Sequence, residues 1–503
     1  MNKWDKTADV SSFAPAFDDI ASSFRAMETQ PAKIVKETRE VIRIAREFAD
    51  EVIRPYSAEL DQAASDDPSF LPWEYIKKAN EWGLYTLFIP KPFGGRGYNL
   101  SCVNFFIEEL GSACLAMANL VGVHYLGYVS LTSSWNLKLI NRISREIADK
   151  EKRGEVCLLS LAMTEPDAGT DSQNIELMNT GNLRCLAKKV PGGYKISGTK
   201  IFISNGHLST WHVVHAYTNA DKASENTVVL LVNSDSEGFS FGKKEKKMGQ
   251  KGCPASELVF DDCFVPDDLV CIDNEQMKKL KRSPEQINEL SYAYTWGASR
   301  ASVGTFGVAA ARGAYETALK FALKTSVNGT PIIHQEWCQS LLAQMYSNTA
   351  VARAACYEAT QANALSGLWS ILNYKPMYYL SKYTPGFIIR KIYSIVCELP
   401  FSTWVFRKIT LDLKKESGLA IVDGWGSIVK IAGTDAGMQN CQLALELMGV
   451  AGARNDEGLE KIVRDARLLQ IYEGTNDVNR INIFKRFIQK HCPETEAFSM
   501  SHL

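Results

Sequence analysis

The spacing of hydrophobic residues changes twice along the chain, and these changes predict three structural regions. In residues 34–155 apolar side chains recur at the three- and four-residue intervals of amphipathic helices. In residues 156–275 apolar and polar residues alternate, most clearly in Gly193–Ser204, as is typical of strands. Long helical patterns return in residues 284–490. We therefore predict an α+β protein, mainly α, in which a β-domain lies between two helical domains.

Individual elements can be placed within these regions. Val228–Val232 and Leu258–Phe260 are short apolar runs bounded by turn residues and are predicted strands. Ala301–Lys324 and Glu416–Gly449 are rich in alanine and leucine and are predicted long helices. Residues 1–33 are acidic and have no continuous apolar core, so they are predicted to form a partly disordered arm and not a targeting segment. The first helix should bury one face, formed by Val41, Ile44, Ala45 and Phe48.

One segment, about residues 366–415, interrupts the second helical region with aromatic and apolar runs. No uncharged run within it reaches the roughly 18–20 residues that a helix needs to cross a bilayer. Basic residues are interspersed, which suits an amphipathic element lying on a membrane surface. An oligomer contact or a self-packed helical hairpin explains the same pattern. The basic residues are Lys382, Arg390, Lys391, Arg407 and Lys408.

Composition narrows the class of protein. The chain has 503 residues, of which 46% are hydrophobic and 22% charged, and a formal net charge of −1. This balance gives no reason to expect a nucleic-acid partner. The twelve cysteines show no paired or Cys/His spacing, so we expect neither disulfides nor a metal site. We therefore expect a cytoplasmic protein. Residues 366–415 suggest that it also makes peripheral contact with the inner face of a membrane.

The first run with candidate chemistry is Leu161–Asp171, which reads as the end of a strand followed by a turn. Pro166 and Gly169 shape the turn, while Thr164 and Thr170 offer hydroxyl groups. Such a loop can hydrogen-bond a flat heterocycle on one side and a polar ligand tail on the other. An ordinary glycine–proline turn is the alternative.

Three further runs, together with Leu161–Asp171, resemble the acyl-CoA dehydrogenase family in order and over about residues 35–490. They are Gly198–Gly206, Lys247–Asp262 and Val463–Thr475. The resemblance implies an N-terminal helical domain, a middle β-barrel or sandwich and a C-terminal four-helix bundle, here with an inserted apolar segment. It also implies FAD between the β-domain and the bundle, with an acyl-CoA thioester against one flavin face.

Roles carried over from the family fall on two sets of positions. The predicted FAD contacts are Leu161, Met163, Thr164, Phe202, Ser204, Thr475 and Asp477. The predicted substrate contacts are Thr170, Arg300 and Gly474.

Glu473 is the predicted catalytic base. The α-proton of a thioester is weakly acidic, so its removal needs a base within hydrogen-bond reach. A glutamate buried against flavin and acyl chain would have a raised pKa, whereas a solvated carboxylate at a helix end is the ordinary alternative. The resemblance implies that Glu473 takes the α-proton, that flavin N5 takes the β-hydride, and that a trans-2-enoyl-CoA leaves.

The family resemblance also implies partners. Electrons would pass to an electron-transfer flavoprotein or to a membrane acceptor. Two other interpretations stay open: an oxidase or monooxygenase on the same fold, and a flavin-poor subunit of a hetero-oligomeric dehydrogenase.

Four positions depart from the family pattern. Thr325 stands where an arginine is expected to bind the FAD pyrophosphate, and Asn328 replaces an aromatic residue. Gly297 stands where an acidic residue is common, and Glu446 replaces a glutamine. Because the lost groups normally reach a neighbouring subunit's FAD, we expect either a homodimer or homotetramer that holds FAD by other contacts, or a hetero-oligomer whose partner supplies the arginine.

Overall fold

The N-terminal domain is helical, as predicted. The fold is known from a computed structural model that describes residues 31–412 and 414–498, so most of the predicted N-terminal arm lies outside the described residues. The predicted apolar face of the first helix is buried at all four positions. The helices are α1 Lys33–Phe48, α2 Arg54–Asp66, α3 Trp73–Glu81, α4 Val103–Ala113, α5 Leu115–Ser133 and α6 Leu137–Lys152.

The middle domain is a mixed eight-stranded sheet. Along the sheet the strands follow the order β6-β7-β3-β2-β4-β5-β8, and β1 pairs in parallel with β4. Short helices α7 Ile175–Met178 and α8 Asn274–Met277 flank it. The strands are β1 Leu159–Ala162, β2 Leu186–Val190, β3 Gly193–Ser204, β4 Trp211–Tyr217, β5 Thr227–Asn233, β6 Phe239–Lys244, β7 Ala255–Pro266 and β8 Val270–Ile272.

The C-terminal domain is built on three long helices. Its first helix begins 17 residues before the predicted Ala301, because Ser283 and Gln286 form a reciprocal capping box and Pro284 takes the first helical position. A hairpin follows it, in which a two-residue turn joins β9 Ser326–Val327 and β10 Thr330–Pro331. The helices are α9 Pro284–Lys324, α10 Glu336–Ser366, α11 Lys375–Tyr383, α12 Gly386–Glu398, α13 Ser402–Arg407, α14 Glu416–Met448, α15 Leu459–Leu469 and α16 Asn476–Ile483.

Glycines let α9 and α14 approach closely. A Cβ atom on Gly297 would lie 2.6 Å from Val422 Cγ1, and one on Gly304 would lie 2.4 Å from the Val429 carbonyl oxygen. Both distances are shorter than van der Waals contact. The absence of an acidic side chain at Gly297 therefore has a packing reason: no side chain fits between these helices.

The predicted insertion is a separate layer of three short helices. α10 ends at Ser366 and α14 begins at Glu416, so the insertion was predicted between these two helices. Its inner side is anchored by Arg407, which is buried and donates to the carbonyl oxygens of Ser134 (2.9 Å) and Cys271 (2.6 Å). We refer to residues 367–415 as the insertion.

Within the described residues, one helix is long and apolar enough to cross a membrane by length and composition. This helix is α5, and 83% of its apolar window is buried inside the protein.

Candidate active site

A cavity of about 620 Å³ lies where the N-terminal helices, the sheet and the C-terminal helices meet. Its walls bring together nine of the eleven predicted site residues, although the runs that supply them are far apart in sequence. Arg300 and Asp477 are not among the lining residues. The nine are Leu161, Met163, Thr164, Thr170, Phe202, Ser204, Glu473, Gly474 and Thr475.

Glu473 lies on a tight loop between α15 and α16. Its φ of 59° and the φ of 79° at Gly474 place two successive residues in the left-handed region. A residue with a side chain adopts this conformation at a cost of about 1–2 kcal/mol, so surrounding contacts must hold it. Thr475 caps α16 by accepting a hydrogen bond from the backbone N–H of Val478.

Three buried side chains pin this loop by its carbonyl oxygens. Arg300 Nε donates to Glu473 O at 3.2 Å, and Lys430 Nζ donates to Gly474 O at 2.8 Å. The Asn479 amide donates to Gly474 O at 3.0 Å and to Thr475 O at 2.9 Å. The backbone that presents Glu473 is therefore fixed from behind, away from the cavity.

Arg300 acts within a buried ionic network and not on the cavity surface. It is 2% exposed, and its Nη1 lies 3.1 Å from Asp423 Oδ1, while Arg486 binds the other oxygen of that carboxylate at 2.7 Å. Burial opposes ionisation of Asp423, but the two guanidinium groups overcome it and lower the pKa of that carboxyl. The structure thus places Arg300 behind the Glu473 loop, which differs from the position predicted for it beside the CoA portion of a substrate.

The Glu473 carboxyl has the environment predicted for a base. The residue is half-buried, and its Oε2 atom is fully buried with no hydrogen-bond partner among the described residues. Burial raises the pKa of Glu473, while a hydrogen bond from Ser299 and the charges of Arg300 and Lys430 partly offset this effect. A buried, unpartnered carboxyl oxygen on a residue that lines a cavity is suited to accept a proton from a bound molecule.

Lys430 is a charged residue beside the Glu473 loop that the sequence did not predict. It is fully buried in the middle of α14, where Nζ also donates to Asn476 Oδ1 at 2.7 Å. Burial, with repulsion from Arg300, lowers the pKa of Lys430 to about 7. Its charge is therefore sensitive to pH near neutrality, within the shell of groups that surrounds Glu473.

The opposite wall is the turn after β1, which a buried ion pair holds in place. Lys200 Nζ donates to Glu165 Oε1 and to the Met163 carbonyl oxygen, each at 2.8 Å. Both side chains of the pair are about 1% exposed or less. The backbone N–H of Ile201 in β3 donates to the Thr164 carbonyl oxygen at 2.9 Å, which fixes the position of Thr164 relative to β3. We refer to residues 163–170 as the Thr164 turn.

Next to it, a bulge in β3 turns an aromatic ring toward the cavity. The pairing of β3 with β7 shifts between Lys200 and Ile203, and Phe202 there has a φ of 58° and is 56% exposed. Trp296 on α9 lines the same cavity, and its indole N–H has no partner within the described part of the chain. The exposed ring of Phe202 and the unpartnered indole N–H of the buried Trp296 fit a planar, hydrogen-bonding ring such as flavin.

Sequence reasoning missed several of these residues. Lys430 had a signal, since it is a single charge inside the apolar stretch Ser427–Ala432. Trp296 and the insertion's Trp369 line the cavity without any local motif that marks them.

Three family models match the chain in the order of its domains. They are the acyl-CoA dehydrogenase N-terminal domain at residues 36–133, the middle domain at 160–263 and the C-terminal domain at 293–367 and 412–488. The chain belongs to the acyl-CoA dehydrogenase family. The break in the C-terminal match coincides with the insertion, so the insertion is an addition to the family's C-terminal domain.

Relatives with this fold cover nearly the whole chain. A probable acyl-CoA dehydrogenase, fadE25 of Mycobacterium leprae, is 26% identical over 89% of this chain and 95% of its own length. Butyryl-CoA dehydrogenase from Megasphaera elsdenii has a TM-score of 0.66 at 20% identity, covering 89% and 97%. PigA, solved with FAD and proline, has a TM-score of 0.64 at 18% identity, covering 91% and 97%. The acyl-CoA dehydrogenase fold is a fold of FAD-binding flavoproteins, and the cavity residues fit that cofactor.

Of the four family departures, Asn328 and Glu446 are exposed, Thr325 is partly buried at the end of α9, and Gly297 is buried between α9 and α14. Asn328 and Gly329 have φ angles of 51° and 81° and form the tip of the β9–β10 hairpin, which matches the type I′ turn that an Asn-Gly pair favours. Glu446 is exposed on α14. Thr325, where the FAD-binding arginine was expected, ends α9, and the hairpin tip follows it. A homo-oligomer that holds FAD by other contacts and a hetero-oligomer whose partner supplies the arginine both stay predictions.

Proposed function

We propose that the protein removes the α-proton and the β-hydride of an acyl-CoA thioester and releases a trans-2-enoyl-CoA, with Glu473 as the base. The observation that carries the proposal is the buried, unpartnered Glu473 Oε2, held on a pinned loop in the same cavity as the predicted flavin contacts. A carboxylate with a raised pKa, held close to where a thioester α-carbon would lie, is suited to proton abstraction.

The chain's own groups supply binding and positioning. Thr164, Ser204 and the indole N–H of Trp296 would hydrogen-bond the flavin ring, and Phe202 and Met163 would pack against it. FAD, when bound, supplies the acceptor for the hydride. The backbone N–H of Glu473 would hold the thioester oxygen and so stabilise the charge that develops when the α-proton leaves. We propose an electron-transfer flavoprotein or a membrane acceptor as the electron acceptor.

Anaerobic titration of the yellow holoprotein with acyl-CoAs tests this function. We expect the flavin absorbance to bleach with at least one saturated acyl-CoA, since oxidation of substrate must reduce the cofactor. Holoprotein that binds flavin but is bleached by no acyl-CoA contradicts the proposal. Purified protein without flavin absorbance would favour the flavin-poor subunit, and rapid reoxidation by air would favour an oxidase.

We also propose that the outer side of the insertion docks on an anionic membrane surface. Large apolar side chains there are exposed to solvent, including Phe387 at 73%, Tyr383 at 66%, Phe401 at 59% and Ile395 at 58%. Of the six basic residues between 367 and 412, Arg407 is buried and Lys382 pairs with Glu37. The other four are Lys375, Arg390, Lys391 and Lys408, against the two acidic residues Glu398 and Asp412. Exposed aromatic residues with basic neighbours match the interface of an anionic bilayer.

Flotation with liposomes tests the docking surface. The intact protein should float with vesicles that contain anionic lipid and should be released by high salt, which screens the basic residues. The Phe387→Asp variant should stay at the bottom of the gradient, whereas Phe264→Asp, which changes an exposed aromatic on β7, should float like the wild type. An intact protein that does not float contradicts the proposal.

A further inference from the structure

A second, smaller void lies beside the active-site cavity, under the insertion. We call it the rear void. Its volume is about 50 Å³, and it lies between residues 88–100 and helix α11. Leu100, Trp369 and Asn373 line both spaces, so they form the partition between them.

The lining of the rear void is mainly apolar, and at one end two of its residues bind a carboxylate. Tyr378 OH donates to Glu37 Oε1 at 2.5 Å, and Lys382 pairs with the same carboxylate. The ammonium group of Lys382 is thereby held at this end, while its aliphatic stem is free to cover apolar surface. The apolar lining residues are Phe88, Pro90, Leu100, Trp369, Leu372 and Tyr378.

Side-chain hydrogen bonds hold two of the three partition residues, whereas Leu100 is held by apolar packing alone. Trp369 Nε1 donates to Thr132 Oγ1 at 3.3 Å, and its ring centroid lies 5.2 Å from that of Trp135. Asn373 accepts from Asn99 Nδ2 at 2.5 Å and donates to Ala364 O at 2.8 Å. Leu100 has only an aliphatic side chain, so it is the partition residue that a bound acyl chain would displace.

We infer that the substrate carries a long acyl chain whose distal methylenes pass Leu100 into the rear void. The inference rests on the proposed dehydrogenase function and adds the substrate class. An apolar void forfeits dispersion contacts when it is empty, and methylene groups restore them. Trp369, Leu372, Asn373 and Tyr378 all belong to the stretch that the family model does not match, so the insertion supplies this extension of the acyl site.

Filling the rear void from α11 tests the inference. Ser381 lines the void and is partly exposed, whereas Leu380, its neighbour on the same helix, is 57% exposed and does not line it. We compare Ser381→Trp with the matched control Leu380→Trp. The probes are unreactive thioether analogues of acyl-CoA, from butyl to octadecyl, titrated into the holoprotein by calorimetry.

For the wild type and Leu380→Trp, affinity should keep rising into the long chains, by about fourfold for each additional buried methylene. For Ser381→Trp the affinity for long-chain analogues should fall by at least about tenfold, whereas the affinity for short-chain analogues should be unchanged. Unchanged short-chain binding also shows that the variant is folded. If it binds short chains poorly, Ser381→Met makes the same comparison with a smaller side chain. A wild-type affinity that stops rising at short chains, or filled variants with the wild-type profile, overturns the inference. Failure of every analogue to bind contradicts the proposed function instead.

Discussion

The Glu473→Gln variant is expected to lose turnover by about 10²- to 10⁴-fold and to retain its yellow flavin. A positioned general base contributes a rate factor of that size, and an amide cannot take up the α-proton. Glutamine is nearly isosteric, and the loop is pinned through main-chain oxygens by Arg300, Lys430 and Asn479, so the backbone should not move. Stopped-flow bleaching of the flavin by substrate measures the loss directly.

The pH profile reports the same carboxyl group. Burial raises the pKa of Glu473, and only the carboxylate form accepts a proton, so kcat/KM of the wild type should fall as the pH drops through this raised pKa. The Glu473→Gln variant should lack this acidic limb. Glu457→Gln, a matched change at an exposed glutamate before α15, should keep both the rate and the profile. Turnover of the Glu473→Gln variant at the wild-type rate would rule out Glu473 as the base.

The sequence predicted the residues that line the cavity better than the residues that hold them in place. The motifs that carry Thr164, Ser204 and Glu473 are local runs with turn residues, and the structure brings them to one cavity. The residues that hold Glu473 in place have no such local signature. Arg300 meets Asp423 from another helix 123 residues away, and only the close approach of α9 and α14 creates that contact.

The insertion also has contacts that no local sequence pattern predicts. Its boundaries and amphipathic character are predictions from composition and spacing. Its contribution to the cavity could not, since Trp369 reaches the site only through packing against Trp135 and Thr132 of the N-terminal domain. Helix α9 was placed too late because its first turns, with Tyr292, Tyr294 and Trp296, bury aromatic residues on several sides and lack a simple amphipathic stripe.

The Lys200→Met variant is expected to lower the free energy of unfolding by about 3–5 kcal/mol and to weaken FAD binding. Removing one partner of a fully buried ion pair leaves the other charge without compensation. Here Glu165 would keep the backbone N–H groups of Arg184 and Cys185 but lose its cation, and the Met163 carbonyl oxygen would lose its donor. The Thr164 turn, which carries predicted flavin contacts, would then loosen.

A second lysine on the same strand provides the control. Lys195 pairs with Asp262 at 3.2 Å, but both side chains are largely exposed, so Lys195→Met should leave the denaturation midpoint and FAD affinity nearly unchanged. Adding Glu165→Gln to Lys200→Met should recover part of the lost stability, because it removes the uncompensated charge. Equal midpoints for Lys195→Met and Lys200→Met in urea denaturation would show that the buried pair does not hold this wall of the site. Reduced stability with unchanged flavin affinity would limit the role of the pair to folding.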